Sequence, residues 1–266
     1  GMETAPVKPW PHQNIVAKRV LSTYPFSYLL CDEVGLGKTI ESGLIIRSLV
    51  LSGLTPRVLI AAPASLTRQW MREMSDKFLL PFALMHGGQS PKKETIFPKQ
   101  DVQNSSSLFE SNLCIVSTGL LVRSERLKEL QETYFDLALM DEAHYARRKN
   151  PTKGLQAEPR YGNLYKIVSG ILRSKAECLL LATATPMQLD VVEVFDLMRL
   201  TNRVSAFQYE PGLSNWYFSI LGRLVDDASI ENSEWEFLQK CLGDLEQHDP
   251  FYMDFLHKAV KVSPIV

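Results

Sequence analysis

Lysine and threonine follow two closely spaced glycines in "GLGKT", Gly35 to Thr39, where a short apolar run gives way to a longer one. Glycines at 35 and 37 let backbone amides converge on an anion without interference from Cβ, and Lys38 and Thr39 open a helix whose N-terminus is electropositive. This is the chemistry of a phosphate cradle. Lys38 would bind the β and γ phosphates of a nucleotide, and the Thr39 hydroxyl would take a position on Mg²⁺. The strict G-x-x-x-x-G-K-[ST] pattern is not met, because Asp32 stands at its first glycine. An ordinary strand-to-helix turn still rarely needs Gly, Lys and Thr in this order.

Roughly 100 residues later, "FDLALMDEAH" ends an apolar run with two carboxylates, Asp141 and Glu142. Asp141 suits Mg²⁺ coordination, through water, and Glu142 suits orienting and deprotonating an attacking water. Acidic residues also cap helices after strands, so "DEAH" in isolation carries little; coupled with "GLGKT" upstream it becomes specific. In "LLLATATP", the hydroxyls of Thr183 and Thr185 are placed to hydrogen-bond the segment from Asp141 to His144 and relay its state. Near the N-terminus "WPHQ" sets Gln13, whose amide can bond adenine N6 and N7 bidentately, 25 residues ahead of Lys38. The metal is expected between Lys38 and Asp141, across adjoining strand tips.

Short β-rich runs must position these groups. "SYLLCD", "RVLIAAP", "FALMH", "LCIVST", "FDLALMDE" and "ECLLLATAT" alternate with longer helical stretches, the pattern of a parallel sheet sandwiched by helices. Ile40, Leu44, Ile45 and Leu49 give a buried helix stopped by Gly53 and Pro56, and Leu66, Trp70, Met74 and Phe78 recur every four residues on the core face of the next. Residues 1–200 therefore read as one doubly wound α/β domain. Residues 87–112, rich in Ser, Lys and Pro without periodicity, are expected to be a mobile surface loop. Residues 145–163 carry Arg147, Arg148, Lys149, Lys153 and Arg160, which fit either a polyanion contact or a solvated connector. Residues 201–266 read as a helical appendage. In it Trp216, Ile220 and Leu224 share a face, Ser233 with Glu236 forms a capping box, Asp249–Pro250 starts a third helix, and the aromatic residues are expected in the core.

The chain of 266 residues carries a net charge of −1, but this hides a division. Residues 1–189 hold 23 Lys+Arg against 17 Asp+Glu, and residues 190–266 hold 6 against 13, so the front could face a polyanion. Cys31, Cys114, Cys178 and Cys241 show no C-x-x-C spacing and read as reduced core residues, and the five dispersed histidines suggest no structural zinc site. No apolar run approaches the ~20 residues that span a bilayer. A reducing, cytoplasmic setting without a membrane is expected.

In this order and spacing, "PHQ", "DEVGLGKT", "APASLTRQW", "VSTGLL", "DEAH" and "TATP" resemble motifs Q, I, Ia, Ib, II and III of superfamily two helicases, and more narrowly the Swi/Snf-like ATPases of the bacterial branch. The resemblance covers residues 9 to 200. It departs from the broader family at the middle of "TATP" and at Val34. It implies a RecA-like P-loop lobe, with Gln13, Gly35, Leu36, Gly37, Lys38, Thr39 and Ile40 on ATP, Thr39 and Asp141 on Mg²⁺, and coupling through His144, Thr183 and Thr185. It further implies duplex DNA as partner, its backbone met by Ser65, Arg68, Ser117 and Thr118, although Arg68 could pair with a neighbouring acid and Ser65 could cap a helix. A second RecA-like lobe carrying arginine fingers is expected beyond residues 201–266, and so is very slow hydrolysis by this chain alone; a larger protein complex is compatible. An RNA helicase lobe, or a nucleotide-gated protein-binding module without turnover, are the alternative readings.

Overall fold

The computed structural model describes residues 5–31, 37–153, 158–186, 192–201, 211–225 and 227–248. Its centre is set by Val58–Ala62, five successive side chains that are all fully buried. A strand buried on both faces needs cover on both, and the run of apolar residues in "VLIAA" is the pattern that allows it.

The strands are β1 (Ser27–Leu30), β2 (Val58–Ala62), β3 (Ala83–His86), β4 (Lys92–Thr95), β5 (Gln100–Asn104), β6 (Leu113–Ser117), β7 (Phe135–Asp141) and β8 (Ala176–Ala182). They form one sheet in the order β1-β8-β7-β2-β6-β3-β4-β5. From β1 to β3 every neighbour pair is parallel, and β4 and β5 add an antiparallel edge. The helices α1 (Pro11–Ser22), α2 (Lys38–Ser52) and α3 (Thr67–Asp76) pack their apolar sides on the face that carries Val58, Ile60, Ala62, Leu137, Leu139 and Leu180. Leu59 and Ala61 point to the other face and are equally buried. The short helix α4 (Thr118–Leu121), α5 (Ser124–Glu132) and a helical run at 163–175 complete the elements of this part.

Two compact units result: Gly1–Lys149 with Arg160–Pro186, and Asn150–Pro159 with Met187–Val266. The units are not cut at residue 200, because the helix Val192–Leu200 packs with the helix Pro211–Val225. In the second unit, Trp216 stacks on Phe237 with centroids 4.3 Å apart. Ile220 is fully buried, but Trp216 and Trp235 remain 39% and 48% exposed, so these tryptophans are not core residues. The helix Asn232–His248 is capped two residues earlier than expected: the Glu231 amide donates to Glu234 Oε2 at 2.8 Å, since Glu234, not Glu236, stands three residues into the turn. The third start at Asp249–Pro250 lies outside the described residues. Among the described residues no helix is long and apolar enough to cross a membrane.

Residues 87–112 are not a single loop. Lys92–Thr95 and Gln100–Asn104 pair as a hairpin on the open edge of β3, and Leu108 and Phe109 are buried behind it. The ladder is built by backbone groups, and the Thr95 hydroxyl closes the turn on the Pro98 carbonyl at 2.7 Å, so no apolar alternation was needed to make it. Cys114, Cys178 and Cys241 are buried and in no disulfide, whereas Cys31 is exposed just past the end of β1. Arg148 is buried, pairs with Tyr161 in an isolated bridge and lies 5.9 Å from the centre of its ring; it holds the chain together there and is not a surface cation.

Contact between α2 and the chain after α3 depends on Gly43. A Cβ at this position would stand 2.2 Å from the ring of fully buried Phe78. Arg47, one turn on, donates to the Phe78 carbonyl. Alanine gains about 1 kcal/mol of helix propensity over glycine, but overpacking a full core costs about 1–3 kcal/mol. The overlap with an immobilised ring puts Gly43→Ala near the upper end of that cost. Urea unfolding of the chain should therefore show Gly43→Ala less stable by about 1–2 kcal/mol; equal or higher stability would mean that the ring yields freely.

Candidate active site

Two turns and a helix face converge on a cleft of about 420 Å³ at the carboxyl edge of the sheet, lined by Gly37, Lys38, Thr39 and Ile40 from the start of α2, by Asp141 at the end of β7 and Glu142 just after it, and by residues of α3. A larger cavity of about 560 Å³ opens near the amino ends of β2, β3 and β6, beside Pro56, Ala83 and Leu113, but it holds none of the motif residues. The smaller cleft is where the motif residues gather.

Gly37 caps α2 in the left-handed region, with φ +95°. A side chain there would be strained, and its Cβ would stand 2.3 Å from the Gln13 amide nitrogen, so Gly37 answers two demands at once. The amides of Ile40 and Glu41 bond back to the Gly37 carbonyl at 2.7 and 3.0 Å. Those of Lys38 and Thr39 thus precede the first helical bonds, at the positive end of the helix. Gln13 itself is buried near the start of α1, where its Oε1 accepts from the Trp10 amide at 2.8 Å. Asp32, Gly35 and Leu36 lie outside the described residues.

Asp141 ends β7 and is 8% exposed. Its Oδ2 accepts the Trp70 indole N–H at 2.7 Å and its Oδ1 accepts the Glu142 amide at 2.9 Å. Burial pushes the carboxyl above its ordinary value, and the indole, the Glu142 amide and the nearby Lys38 and His144 pull it part of the way back. The two strand tips are not adjoining: β8 stands between β1 and β7. Lys38 and Asp141 nonetheless line one cleft, together with Ala184 just past the tip of β8.

Glu142 adopts a left-handed backbone, φ 50° and ψ 48°, a conformation that costs a residue with a Cβ on the order of 1 kcal/mol and gathers at functional sites. Its Oε2 lies 3.1 Å from Nδ1 of buried His144, and the same nitrogen is 2.9 Å from the Thr183 hydroxyl and 3.4 Å from that of Thr185. With a proton, Nδ1 donates to Glu142; without one, it accepts from Thr183. The two states are exclusive at one nitrogen, which ties the tip of β8 to the carboxylate after β7.

The remaining sequence candidates stand apart from the cleft. Ser65 is exposed ahead of α3, which begins after Leu66 with no side-chain cap. Arg68 pairs with Glu94 of β4 at 2.7 Å. Ser117 accepts the Leu120 amide at 3.2 Å to cap α4, whose first residue is Thr118. Periodicity assigned Trp70 to the core and missed its polar end; a buried indole always needs an acceptor, and that was the available signal. Gln69, Glu73 and Lys77 were also missed. They line the cleft as one row, with Glu73 accepting from Gln69 at 2.9 Å and from Lys77 at 3.2 Å.

Residues 13–217 match the SNF2-related domain. The RNA polymerase-associated protein RapA of Actinobacillus succinogenes is 36% identical over 203 residues, 75% of this chain and 20% of that protein. The uncharacterized ATP-dependent helicase YqhH of Bacillus subtilis is 35% identical over 192 residues, 72% of this chain and 29% of its own length. Among solved structures, the Sulfolobus solfataricus SWI2/SNF2 ATPase core in complex with dsDNA superposes with a TM-score of 0.56 at 21% identity, covering 79% of this chain and 37% of that one, a likeness of fold. The chain thus spans between a fifth and three tenths of the length of the two relatives. With the family match running over most of its length, the chain belongs to the SNF2-related family of helicase-type ATPases.

Proposed function

We propose that this chain is the ATP-binding half of a DNA-stimulated ATPase that translocates on duplex DNA, with a second RecA-like lobe of the same protein forming the other wall of the nucleotide cleft. The observation that carries this reading is the convergence of Lys38, Thr39, Asp141 and Glu142 on one cleft at the carboxyl edge of a parallel sheet, where such sheets bind ligands.

The residues present fit a magnesium–nucleotide pair. The Thr39 hydroxyl and the Asp141 carboxylate are hard oxygen donors, and among the described residues no trio of His, Cys, Asp and Glu forms a metal cage. That suits Mg²⁺, which is commonly held by one or two protein oxygens together with substrate phosphates. When bound, the ion would neutralise charge on the phosphate oxygens. Lys38 and the first amides of α2 hold the phosphates, and the Lys38 charge offsets the negative charge that grows as the terminal phosphoryl group departs. Glu142 orients water and takes its proton as the water oxygen attacks the γ phosphorus; the bond to the β–γ bridging oxygen breaks, releasing ADP and phosphate. His144 holds the Glu142 carboxylate in place, and Thr183 and Thr185 link that hold to the end of β8.

DNA would lie along the neighbouring tips of β2 and β6, which pair in register at Ala62 and Ser117, so that Ser65, Ser117 and Thr118 fall along one stretch of the sheet edge. The Arg68–Glu94 pair is exposed and worth about 0–1 kcal/mol, little enough for a DNA phosphate to displace the glutamate. Relatives named RNA polymerase-associated protein support work within a larger protein assembly, and their bacterial origin supports a bacterial cytoplasmic setting.

In the full-length gene product, duplex DNA should stimulate ATP hydrolysis, and Lys38→Ala should abolish it. Glu142→Gln should keep nucleotide binding and lower turnover about 10²- to 10⁴-fold in a phosphate-release assay. Stimulation by RNA instead of duplex DNA would reassign the chain to an RNA helicase, and binding without turnover to a gated module. Arg68→Ala should weaken duplex binding alike for all sequences and reduce the slope of log K against log salt by about 1; an unchanged slope would remove Arg68 from the DNA surface.

A further inference from the structure

One side chain of the cleft has no role in the reaction as derived, yet makes its shortest contact with an acid that does. Trp70 is 3% exposed, and its indole N–H reaches Asp141 Oδ2 at 2.7 Å. On packing grounds alone, position 70 of α3 asks only for an apolar residue, since it belongs to the same buried apolar cluster as Met71, Met74 and the following Phe78. Phenylalanine or leucine would serve there. Tryptophan adds a donor that cannot also accept, and the fold aims it out of the apolar layer at the polar tip of β7.

We propose that Trp70 is a positioning residue for the metal-holding carboxylate: its indole N–H pins Asp141 Oδ2 while the Glu142 amide pins Oδ1, fixing the plane of the carboxylate toward the cleft. The inference rests on the proposed function, because it concerns the Mg²⁺ that accompanies the nucleotide. An ionised carboxylate offers about four lone-pair sites, and these two donors use one on each oxygen. The others stay available, but the side chain can no longer rotate to present them elsewhere. Donors of this kind behind a ligand orient it, and their loss lowers metal affinity by about 10- to 100-fold. Both donors are rigid. One belongs to a buried ring in the same apolar cluster as Met71, Met74 and Phe78, the other to the backbone of a residue held in the left-handed region.

The test is Mn²⁺ affinity of the ADP-loaded chain, read from the electron paramagnetic resonance signal of free Mn²⁺. Trp70→Phe keeps the ring and deletes the donor. It should raise the Mn²⁺ dissociation constant about tenfold or more while leaving ADP affinity in a chelator unchanged, a split that general loosening of the fold would not produce. A folded Trp70→Phe chain with wild-type Mn²⁺ affinity overturns the proposal alone. A wild-type chain that gains no Mn²⁺ affinity from ADP overturns the proposed function and this inference with it. Should the variant fail to fold, the wild-type chain still decides through its indole resonances under ¹⁵N labelling. Of the four tryptophans, Trp10, Trp216 and Trp235 are 54%, 39% and 48% exposed, so the slowest-exchanging indole N–H identifies Trp70 without a variant. Adding Mg²⁺ to the ADP-loaded chain should shift that resonance and leave the other three in place; an unmoved resonance rejects the proposal.

Discussion

A sheet whose central strands are buried on both faces can carry polar chemistry only where the strands end. Val58–Ala62 and most of β7 and β8 leave no position along their length for a charged group, because an unpaired charge in that layer would lose several kcal/mol of hydration. Asp141 is the last residue of β7, where the strand reaches the carboxyl edge of the sheet, and even there it is mostly buried. Its two hydrogen bonds are what make a carboxylate tolerable at that depth. The location of the cleft, the crowding of Lys38, Glu142 and His144 around it, and the need for a buried donor such as Trp70 all follow from that one constraint.

The parts of this arrangement that were readable in the sequence are those encoded by neighbours in the chain. "GLGKT" declares a glycine-capped helix start, "DEAH" declares acids at a strand tip, and "VLIAA" or "CLLLA" declares a strand covered on both sides. What was not readable depends on partners far away. The hairpin of β4 and β5 has no alternating pattern, since "KKET" pairs its backbone with the edge of β3, "QDVQN" pairs with "KKET" in turn, and the two bury almost no side chain. Period-four spacing located Trp70 on the inner face of α3 but says nothing about the atom at the end of its ring. Arg148 sits in a run of cations that reads as either a polyanion contact or a solvated connector, and the bridge to Tyr161 shows one of them turned inward. The cap at Glu231 was missed by two residues because Ser233–Glu236 satisfies the same local pattern.

The helix α3 joins two regions that the motifs treat separately. Arg68 stands on its exposed side, in a pair with Glu94, while Trp70, two residues on, is buried against the acid of the cleft. His144 in turn contacts Glu142, with Thr183 as its second partner. Each of the two carboxylates therefore has its own support from a different element, so a disturbance at the tip of β8 would reach Glu142 first, and one in α3 would reach Asp141 first.

The outer border of the sheet has a consequence for how the molecule behaves in solution. All five residues of β5 are exposed, and a bare strand of this kind invites another chain to add to it. Here the invitation is weak. Val102 is its one apolar side chain, Lys99 and Asp101 place opposite charges beside it, and the register shift between β4 and β5 spoils a straight template. The border thus resists sticking to copies of itself at high concentration, a safeguard against fibrillar association supplied by the same polar, irregular composition that hid the strand from view.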